Sequence, residues 1–356
     1  MPYCNSEHRK MRVLAWPALG SKSSNPYNRL LYKNVQELGP EVEEYSFSKA
    51  CTNCYDIFHI HWPDYQLSKK SVIVTLFRLA YLFLLLAVVK MKKAKIVWTV
   101  HNLSSHEKYH PFLEKAFWKI FLSSINGYVC LTASGRQAAL ERFPALGRLP
   151  GAVIQHGHYR GIYPNTFNRI TARDELGLPR DAKVLLFFGA VRPYKNVCHL
   201  ISTYREVADP HTRLVVAGKP SDGELAAEVA ALTQGDPRIS LHLSFIPDSE
   251  IDLFMNAADL VVLPFTDILN SGSSLLSLSY DRPILVPSKG AMEELRKLVG
   301  SDWVFTYRGA LTPGVLVGAL HDAVKKSGPS ADLSKLDWVE ISAGTVAFYE
   351  ELLLAV

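Results

Sequence analysis

Short apolar segments alternate with longer amphipathic segments along the chain, and the alternation occurs in two series. In the first series the apolar segments have the length of buried strands, and the segments between them have helical spacing. Strands are predicted at residues 11–16, 57–61, 95–100, 127–131 and 152–154, and helices at 28–37, 72–89, 111–124 and 133–142. Strands that alternate with helices favour parallel pairing through right-handed crossovers.

The pattern restarts after residues 165–180, which are rich in Asn, Arg, Asp and Pro. In this second series strands are predicted at residues 183–188, 212–217, 239–242, 260–263 and 283–286, and helices at 197–208, 221–232, 248–257 and 273–280. The predicted fold class is therefore α/β, with two Rossmann-like doubly wound domains. Ligands of such sheets bind beyond the carboxyl ends of the strands, so we expect the site in a cleft between the domains.

The chain of 356 residues is long enough for two hydrophobic cores. We expect an N-terminal domain at residues 1–165 and a second domain at residues 166–335. Residues 336–356 contain aromatic and aliphatic side chains at helical spacing. We predict that this C-terminal helix returns to pack on the first domain.

Composition narrows the possible functions only slightly. The formal charge of +5 comes from 39 basic and 34 acidic residues, which does not indicate a nucleic-acid partner. Five cysteines, an odd number, suit reduced thiols, and we interpret the single C-x-x-C at Cys51 and Cys54 as incidental. The polar first ten residues do not resemble a secretion signal. We therefore expect the protein in the cytoplasm.

Residues 72–89 form an apolar segment with lysines on both sides, namely Lys69, Lys70, Lys90, Lys92, Lys93 and Lys95. About 18 apolar residues are at the lower limit for crossing a bilayer. Three interpretations stay open: a buried crossover helix, a helix on an anionic membrane surface, and a membrane span. With the surface helix, the protein would be peripheral on the cytoplasmic face of the inner or plasma membrane.

In the first domain, polar loops follow the predicted strands. The loop at residues 20–27 is either an ordinary capped connection or an acceptor or phosphate loop. Further candidates lie at the ends of the next two strands or in the loops after them, and they are His59, His61, Asp64, His101, Asn102, His106 and Glu107. Their spacing is not that of metal ligands, so we favour an acid–base site without a metal. His156, His158 and Tyr159 lie at the domain junction, either as a hinge or in the cleft.

The second domain contains two segments that suit a diphosphate. Gly189, Arg192 and Lys195 lie on the turn after a strand, where a guanidinium and an ammonium can contact one anion. A second segment, predicted at a helix start, consists of Asn270, Ser271, Gly272, Ser273 and Ser274. Helix N-termini favour phosphate groups through their free amides and dipole.

These motifs occur in an order that resembles a known architecture. In the second domain, Arg-Pro-Tyr-Lys, Val-Ala-Gly, Asn-Ser-Gly-Ser and Arg-Pro-Ile-Leu-Val-Pro resemble the donor domain of GT-B glycosyltransferases. In the first domain, His-Ile-His-Trp-Pro-Asp-Tyr, Val-His-Asn-Leu and His-Gly-His-Tyr-Arg are similar to the xanthan-type GDP-mannose:glycolipid β-1,4-mannosyltransferases, glycosyltransferase family 94. The family 4 group is a more distant resemblance.

The resemblance implies transfer of a sugar, with mannose from GDP-mannose as the first choice, to a lipid-linked oligosaccharide in polysaccharide biosynthesis. It implies inversion and no metal or other cofactor. Arg192, Lys195 and residues 270–274 would bind the diphosphate, while His101, Asp64 and Glu107 are candidates for the base or for sugar contacts. His61, Asn102, His156, His158 and Tyr159 would face the acceptor.

One departure from related enzymes favours the inverting group. Many retaining GT-B enzymes have a Glu-x7-Glu pair, and the matching positions here are Ile268 and Leu276. Two alternatives stay open: a transferase that uses another donor, such as a UDP-sugar, on a different glycan, and a catalytically silent subunit that binds sugar nucleotides.

Overall fold

The computed structural model describes residues 10–20, 25–104, 109–326 and 328–355. These residues divide into two compact units. Unit 1 comprises Met1–Gly157 together with Leu336–Val356, and unit 2 comprises His158–Lys335. The sequence placed the first boundary later, at residue 165. The difference arises because Tyr159 and Arg160 bond within unit 2, to Ser279 and Asp281.

Unit 1 is built on a parallel sheet of six strands. Its strands are β1 (Arg12–Trp16), β2 (Glu41–Glu44), β3 (Ile57–Ile60), β4 (Lys95–Val100), β5 (Gly127–Cys130) and β6 (Gly151–Val153), in the order β2-β1-β3-β4-β5-β6. The helices of this part are α1 (Tyr27–Glu37), α2 (Phe47–Thr52), α3 (Val72–Met91), α4 (Pro111–Leu122) and α5 (Ala133–Arg142). The sequence did not predict β2, because its residues Glu-Val-Glu-Glu form an edge strand whose charges reach solvent.

Unit 2 has a second parallel sheet of six strands. Its strands are β7 (Lys183–Phe188), β8 (Thr212–Ala217), β9 (Ile239–His242), β10 (Leu260–Val262), β11 (Ile284–Pro287) and β12 (Val304–Tyr307), in the order β12-β11-β10-β7-β8-β9. Its helices are α6 (Arg169–Glu175), α7 (Val197–Arg205), α8 (Gly223–Thr233), α9 (Ile251–Ala257), α10 (Gly272–Ser279), α11 (Ala291–Val299) and α12 (Pro313–Lys325). Both sheets confirm the predicted α/β class.

Helix α6 lies in the polar segment for which the sequence predicted no element. Asn168 caps it by accepting from the backbone amide of Thr171, and the Thr171 hydroxyl accepts in return from the backbone amide of Asn168. Arg173 of this helix is fully buried because its guanidinium is paired with Asp259 at 2.8 Å. Because a charged residue occupies the buried position of α6, its sequence lacks the apolar spacing by which helices are recognised.

The chain returns to unit 1 through its last helix, α13 (Trp338–Leu354), which packs against α1. The segment at which the chain leaves unit 1 and the segment at which it re-enters are in close contact. A Cβ atom on Gly157 would lie 2.3 Å from the ring of Trp338. The core of unit 1 therefore includes residues from both ends of the chain.

Helix α3 connects β3 to β4, and these strands pair directly. It has two faces. The inner face is buried and includes Leu79, Leu82, Leu85, Leu86 and Val89, while the outer face is exposed and includes Ile73, Val74, Leu76, Phe77 and Leu84. Among the described residues, α3 is the one helix long and apolar enough to cross a membrane. Its packing on β4 corresponds to a crossover helix that leaves one apolar side uncovered.

Candidate active site

The candidate donor loops of unit 2 follow the two strands at which the order of the sheet reverses. From β7 the chain adds β8 and β9 on one side, and from β10 it adds β11 and β12 on the other. Ligands of doubly wound sheets bind at such a switch point, beyond the carboxyl ends of the strands. Arg192 and Lys195 follow β7, and residues 270–274 follow β10. The topology thus brings both predicted segments to one position.

Three of the predicted donor-site residues meet at Gly189. This glycine has a φ angle of +117°, and a Cβ atom there would lie 2.8 Å from Ser273 Oγ and 3.1 Å from Lys195 Nζ. A side chain would therefore both strain the backbone and occupy the space beside these two atoms. The hydroxyl and the ammonium lie over bare backbone, an arrangement in which an anion can approach all three.

Lys195 lies in an environment that favours an anion. Burial lowers the pKa of its ammonium to about 8, and the positive charge of Arg192 contributes to this lowered pKa. A diphosphate would offset both effects, because it neutralises the two cations and replaces lost hydration. Above about pH 8 the amine loses its proton, so its attraction for an anion weakens as pH rises.

The start of α10 is organised by Ser271. Its hydroxyl oxygen accepts hydrogen bonds from the Ser274 backbone amide at 3.1 Å and from the Ser274 hydroxyl at 2.9 Å. Ser274 is fully buried, and its hydroxyl also lies 3.5 Å from the sulfur of Met292. The Ser274 hydroxyl is thus engaged with groups of unit 2 itself. Gly272 and Ser273 form the first turn of the helix, and Asn270 precedes it.

The three residues predicted at the junction fall into different units. Tyr159 is buried in unit 2, where its backbone amide donates to Ser279 Oγ at 2.8 Å. Its hydroxyl oxygen would lie 3.4 Å from a Cβ atom on Gly272, so it is beside the start of α10. His158 also belongs to unit 2, and its Nδ1 accepts from the Arg160 amide. His156 belongs to unit 1.

In unit 1, Asp64 and Asn102 form the polar centre of the candidate site. Asp64 lies on a 3-10 turn, Pro63–Leu67, directly after β3, and it is only 6% exposed. The Asn102 amide donates to Asp64 Oδ2 at 3.2 Å. Burial raises the pKa of Asp64 to about 6, although the bond from Asn102 opposes the shift. A carboxylate with such a pKa is well suited to accept a proton near neutral pH.

Histidines from two strand ends meet next to this pair. His61 Nδ1 lies 3.0 Å from His101 Nε2. The His101 ring stacks on Trp62, with ring centroids 4.2 Å apart, and the ring of Tyr27 packs edge-on against it. Burial lowers the pKa of both histidines well below the ordinary value, so both are neutral at pH 7. They can therefore position hydroxyl groups, but they carry no charge.

His156 joins the same cluster through Tyr27, whose ring centroid lies 4.6 Å away. Its Nδ1 donates to the Gly157 carbonyl at 2.7 Å, which fixes the proton of the neutral ring on that nitrogen. Burial lowers the pKa of His156 to about 4.

Of the other candidates, His106, Glu107 and part of the loop after β1, residues 21–24, lie outside the described residues.

Sequence reasoning did not identify several residues that build this site. Glu44 of β2 accepts from the amides of Ala18 and Gly20 at 3.0 and 2.7 Å, and so holds the loop after β1. Tyr32 bonds to His61, and Tyr27, the last residue of the candidate loop at residues 20–27, contacts three of the site's rings. No local signal marks Glu44 or Tyr32, because each acts through a partner that is distant in the chain.

Within the described ranges, no group of three or more His, Cys, Asp and Glu side chains has an arrangement that could hold a metal ion.

Residues 168–270, which include the turn after β7, match the family model described as glycosyl transferases group 1. The chain is 31% identical over 321 residues to GDP-mannose:glycolipid 4-beta-D-mannosyltransferase of Xanthomonas campestris pv. campestris, over 90% of this chain and 86% of that protein. This chain belongs to that family of glycosyltransferases.

Solved structures extend the likeness to the fold of this glycosyltransferase. Sucrose-phosphate synthase from Thermosynechococcus elongatus aligns with a TM-score of 0.63 and 14% identity, over 97% of this chain and 95% of that one. Anabaena HepE in complex with UDP-glucose aligns with a TM-score of 0.64 and 14% identity, over 96% of this chain and 98% of that one. At this identity the likeness concerns the fold alone, and it confirms the predicted GT-B class.

Proposed function

We propose that this glycosyltransferase moves mannose from GDP-mannose to a lipid-linked oligosaccharide, with inversion at the sugar, in polysaccharide biosynthesis. The Xanthomonas relative carries this donor and a glycolipid acceptor in its name. The observation that carries the proposal is the convergence of Ser273 Oγ and Lys195 Nζ on Gly189, at the switch point of unit 2. This position suits the diphosphate of a sugar nucleotide.

In the proposed reaction, unit 2 stabilises the departing diphosphate. Lys195 and Arg192 supply positive charge, and the first-turn amides of α10 with the Ser273 hydroxyl donate hydrogen bonds. Ser271 orders that turn, Asn270 precedes it, and Tyr159 lies beside it. The groups are assembled before the donor arrives, so little reorganisation opposes charge development on the leaving group.

Unit 1 supplies the groups for the acceptor. A β-mannoside formed from an α-linked sugar nucleotide requires a base that takes a proton from the attacking hydroxyl. Asp64 is the best candidate, because its pKa of about 6 leaves it ionised at pH 7 yet basic. Neutral His101 and His156 would hold sugar hydroxyls, with His61 bonded to His101 from behind. The sequence-based alternative is Glu107, and the substitution Asp64→Asn distinguishes the two.

The lipid of the acceptor would contact a groove beside α3. It has a volume of about 500 Å³ and is lined by Trp16, Tyr65, Gln66, Val74, Phe77, Arg78 and Tyr81. Tyr65 follows Asp64 directly on the same 3-10 turn, and the Arg78 guanidinium lies 4.8 Å from the centre of its ring. An apolar chain with an anionic head group suits this lining. The enzyme would thus be peripheral on the cytoplasmic face of the membrane.

A transfer assay with GDP-mannose and a lipid-linked oligosaccharide tests the proposal. Arg192→Ala is expected to lower turnover about 100-fold or more, because a group that stabilises the transition-state charge is lost. Arg213→Ala is the matched control, since it removes one positive charge from strand β8 of the same unit, near that strand's amino end. Near-normal turnover of Arg192→Ala would contradict the diphosphate assignment. Transfer by the native enzyme from a UDP-sugar but not from GDP-mannose would contradict the donor.

A further inference from the structure

A continuous series of polar side chains runs through the interior of unit 1 and ends at His101. His101 Nε2 lies 3.0 Å from His61 Nδ1, and His61 Nε2 lies 2.7 Å from the Tyr32 hydroxyl. Tyr349 lies close to Tyr32 and is one of the causes of its raised pKa, after burial. The Tyr349 hydroxyl in turn bonds to His59 Nδ1. We call these five residues the His–Tyr chain.

The His–Tyr chain comes from four separate parts of unit 1. Tyr32 lies on α1, His59 on β3, His61 just after β3, His101 just after β4 and Tyr349 on α13. His59 Nε2 also bonds to the Thr99 hydroxyl at 2.7 Å, and its ring stacks on that of His61. Four of the five residues are at most 1% exposed, whereas His101 is 7% exposed. The His–Tyr chain is thus buried in the core of unit 1, and its His101 end reaches the candidate site.

Neutral histidines couple the proton positions along this chain. Burial lowers the pKa of His59 to about 3 and lowers that of His61 and His101, so each ring has one N–H and one bare nitrogen. If the Tyr32 hydroxyl donates to His61 Nε2, then His61 Nδ1 donates to His101. His101 then carries its own proton on Nδ1. The opposite direction places that proton on Nε2, so the hydroxyl of Tyr32 decides the tautomer of His101.

Simple packing does not account for this arrangement. Taking imidazole and phenol groups out of water costs free energy unless every group is bonded, and apolar side chains of similar size would fill the same space without that cost. The described contacts satisfy the rings in series and lead to His101, whose chain neighbour Asn102 bonds to Asp64. Such a series of hydrogen bonds holds His101 in one orientation.

We propose that Tyr32 and Tyr349 are positioning residues, which set the ring orientation and tautomer of His101 through His61 for sugar transfer. The proposal rests on the proposed function, because it treats His101 as a residue that contacts substrate. Tyr32 acts on His61 directly, whereas Tyr349 acts by fixing His59, whose ring stacks on that of His61. We therefore expect the larger effect from Tyr32.

The test combines kinetics with nitrogen NMR of ¹⁵N-histidine protein, in which the His101 signals are assigned with His101→Asn. Tyr32→Phe removes only the hydroxyl and is expected to change the tautomer populations of His101. It should lower kcat about 10- to 100-fold with little change in the KM for the donor, as when the partner that orients a functional histidine is lost. Tyr349→Phe should shift both readouts in the same direction, by less.

Tyr128→Phe is the matched control. Tyr128 is also a fully buried tyrosine of the unit 1 sheet, but its hydroxyl has no hydrogen-bond partner among the described residues. It should leave the His101 spectrum and kcat unchanged. Native His101 signals in Tyr32→Phe would overturn the inference, even if its melting temperature fell. A failure of the proposed function would appear separately, as absent transfer by the native enzyme, while the spectra still report whether the tautomers are coupled.

Discussion

Burial decides the roles of individual site residues. The alternation of side chains predicted that His59 and His61 share one face, and their rings stack with centroids 4.5 Å apart. The sequence could not predict that desolvation keeps these histidines neutral and raises the pKa of the nearby Asp64 to about 6. The residue types therefore indicated an acid–base site, but their protonation depends on the surrounding packing.

The substitution Asp64→Asn tests whether Asp64 is the base. In the native enzyme kcat/KM should rise with pH up to an apparent pKa near 6 and then level, because only the ionised carboxylate accepts a proton. The Asp64→Asn substitution should lower transfer at least about 100-fold and abolish that limb. Glu37→Gln, a change at an exposed residue of α1, is the control. Native turnover of Asp64→Asn would transfer the assignment to Glu107.

The same substitution has a stability signature. The folded-state pKa of Asp64 lies above its ordinary value of 3.8, so the folded protein binds this proton more tightly than the unfolded chain does. Its contribution to stability is thus greatest below about pH 4 and is lost as pH rises through about 6. Asp64→Asn should therefore be more stable relative to the native enzyme at pH 8 than at pH 4, measured by thermal melting.

At the scale of elements, every strand and helix of the two predicted series was found, but six further elements were not predicted. Strands β4, β7, β8 and β9 have the predicted bounds. The missed elements are β2, β12, α2, α6, α11 and α12. Strand β2 exposes its carboxylates, and helix α6 buries a paired arginine. Helix α3 was predicted as a helix, but its two faces depend on what packs against it.

The lysines that flank α3 differ from one another in their contacts. Lys90, Lys92 and Lys95 donate to backbone carbonyls of Ser123, Asn53 and Ala355 at 3.0, 3.0 and 2.9 Å. Their amines are thus engaged within unit 1. Lys69 and Lys70 are exposed next to the outer apolar face. The start of α3 is therefore the better candidate for contact with an anionic surface.

Substitutions on the outer face of α3 test the membrane proposal. Ile73→Ser with Phe77→Ser should strongly reduce sedimentation with vesicles that contain anionic lipid, because 64% and 73% exposed side chains lose their apolar contact. Phe245→Ser, at an exposed phenylalanine of unit 2, should leave sedimentation unchanged. Lys69→Gln with Lys70→Gln should weaken binding mainly at low salt. Equal sedimentation of the Ile73/Phe77 variant and the control would refute the contact.

At the scale of the whole molecule, each unit places its candidate groups by the same rule. In unit 1 the sheet reverses between β1 and β3, and in unit 2 it reverses between β7 and β10. Asp64 follows β3, while Lys195 follows β7. The chain also closes unit 1 with its last helix, so Tyr349 and Trp338 complete a core that starts with β1. The C-terminal segment is therefore part of the structure of unit 1.

Thermal stability of the whole enzyme should report the donor. A ligand at 100 times its Kd stabilises the folded state by about 2.7 kcal/mol. We expect GDP-mannose to raise the melting temperature more than UDP- or ADP-sugars at equal concentration. The shift should decline as pH rises above about 8, where Lys195 loses its charge. Arg192→Ala should show a smaller shift, and a larger response to UDP-sugars would contradict the proposed donor.

The sequence by itself determined the two βαβ series, the loops that carry polar groups and the family resemblance. It could do so because hydrophobic period and loop position are local properties of the chain. Only the tertiary structure decided which polar groups are buried and bonded. Tyr349 meets His59 across 290 positions of sequence, and Ser273, rather than Ser274, lies beside Gly189. Desolvation and hydrogen bonding depend on neighbours in space, and the order of residues alone does not contain them.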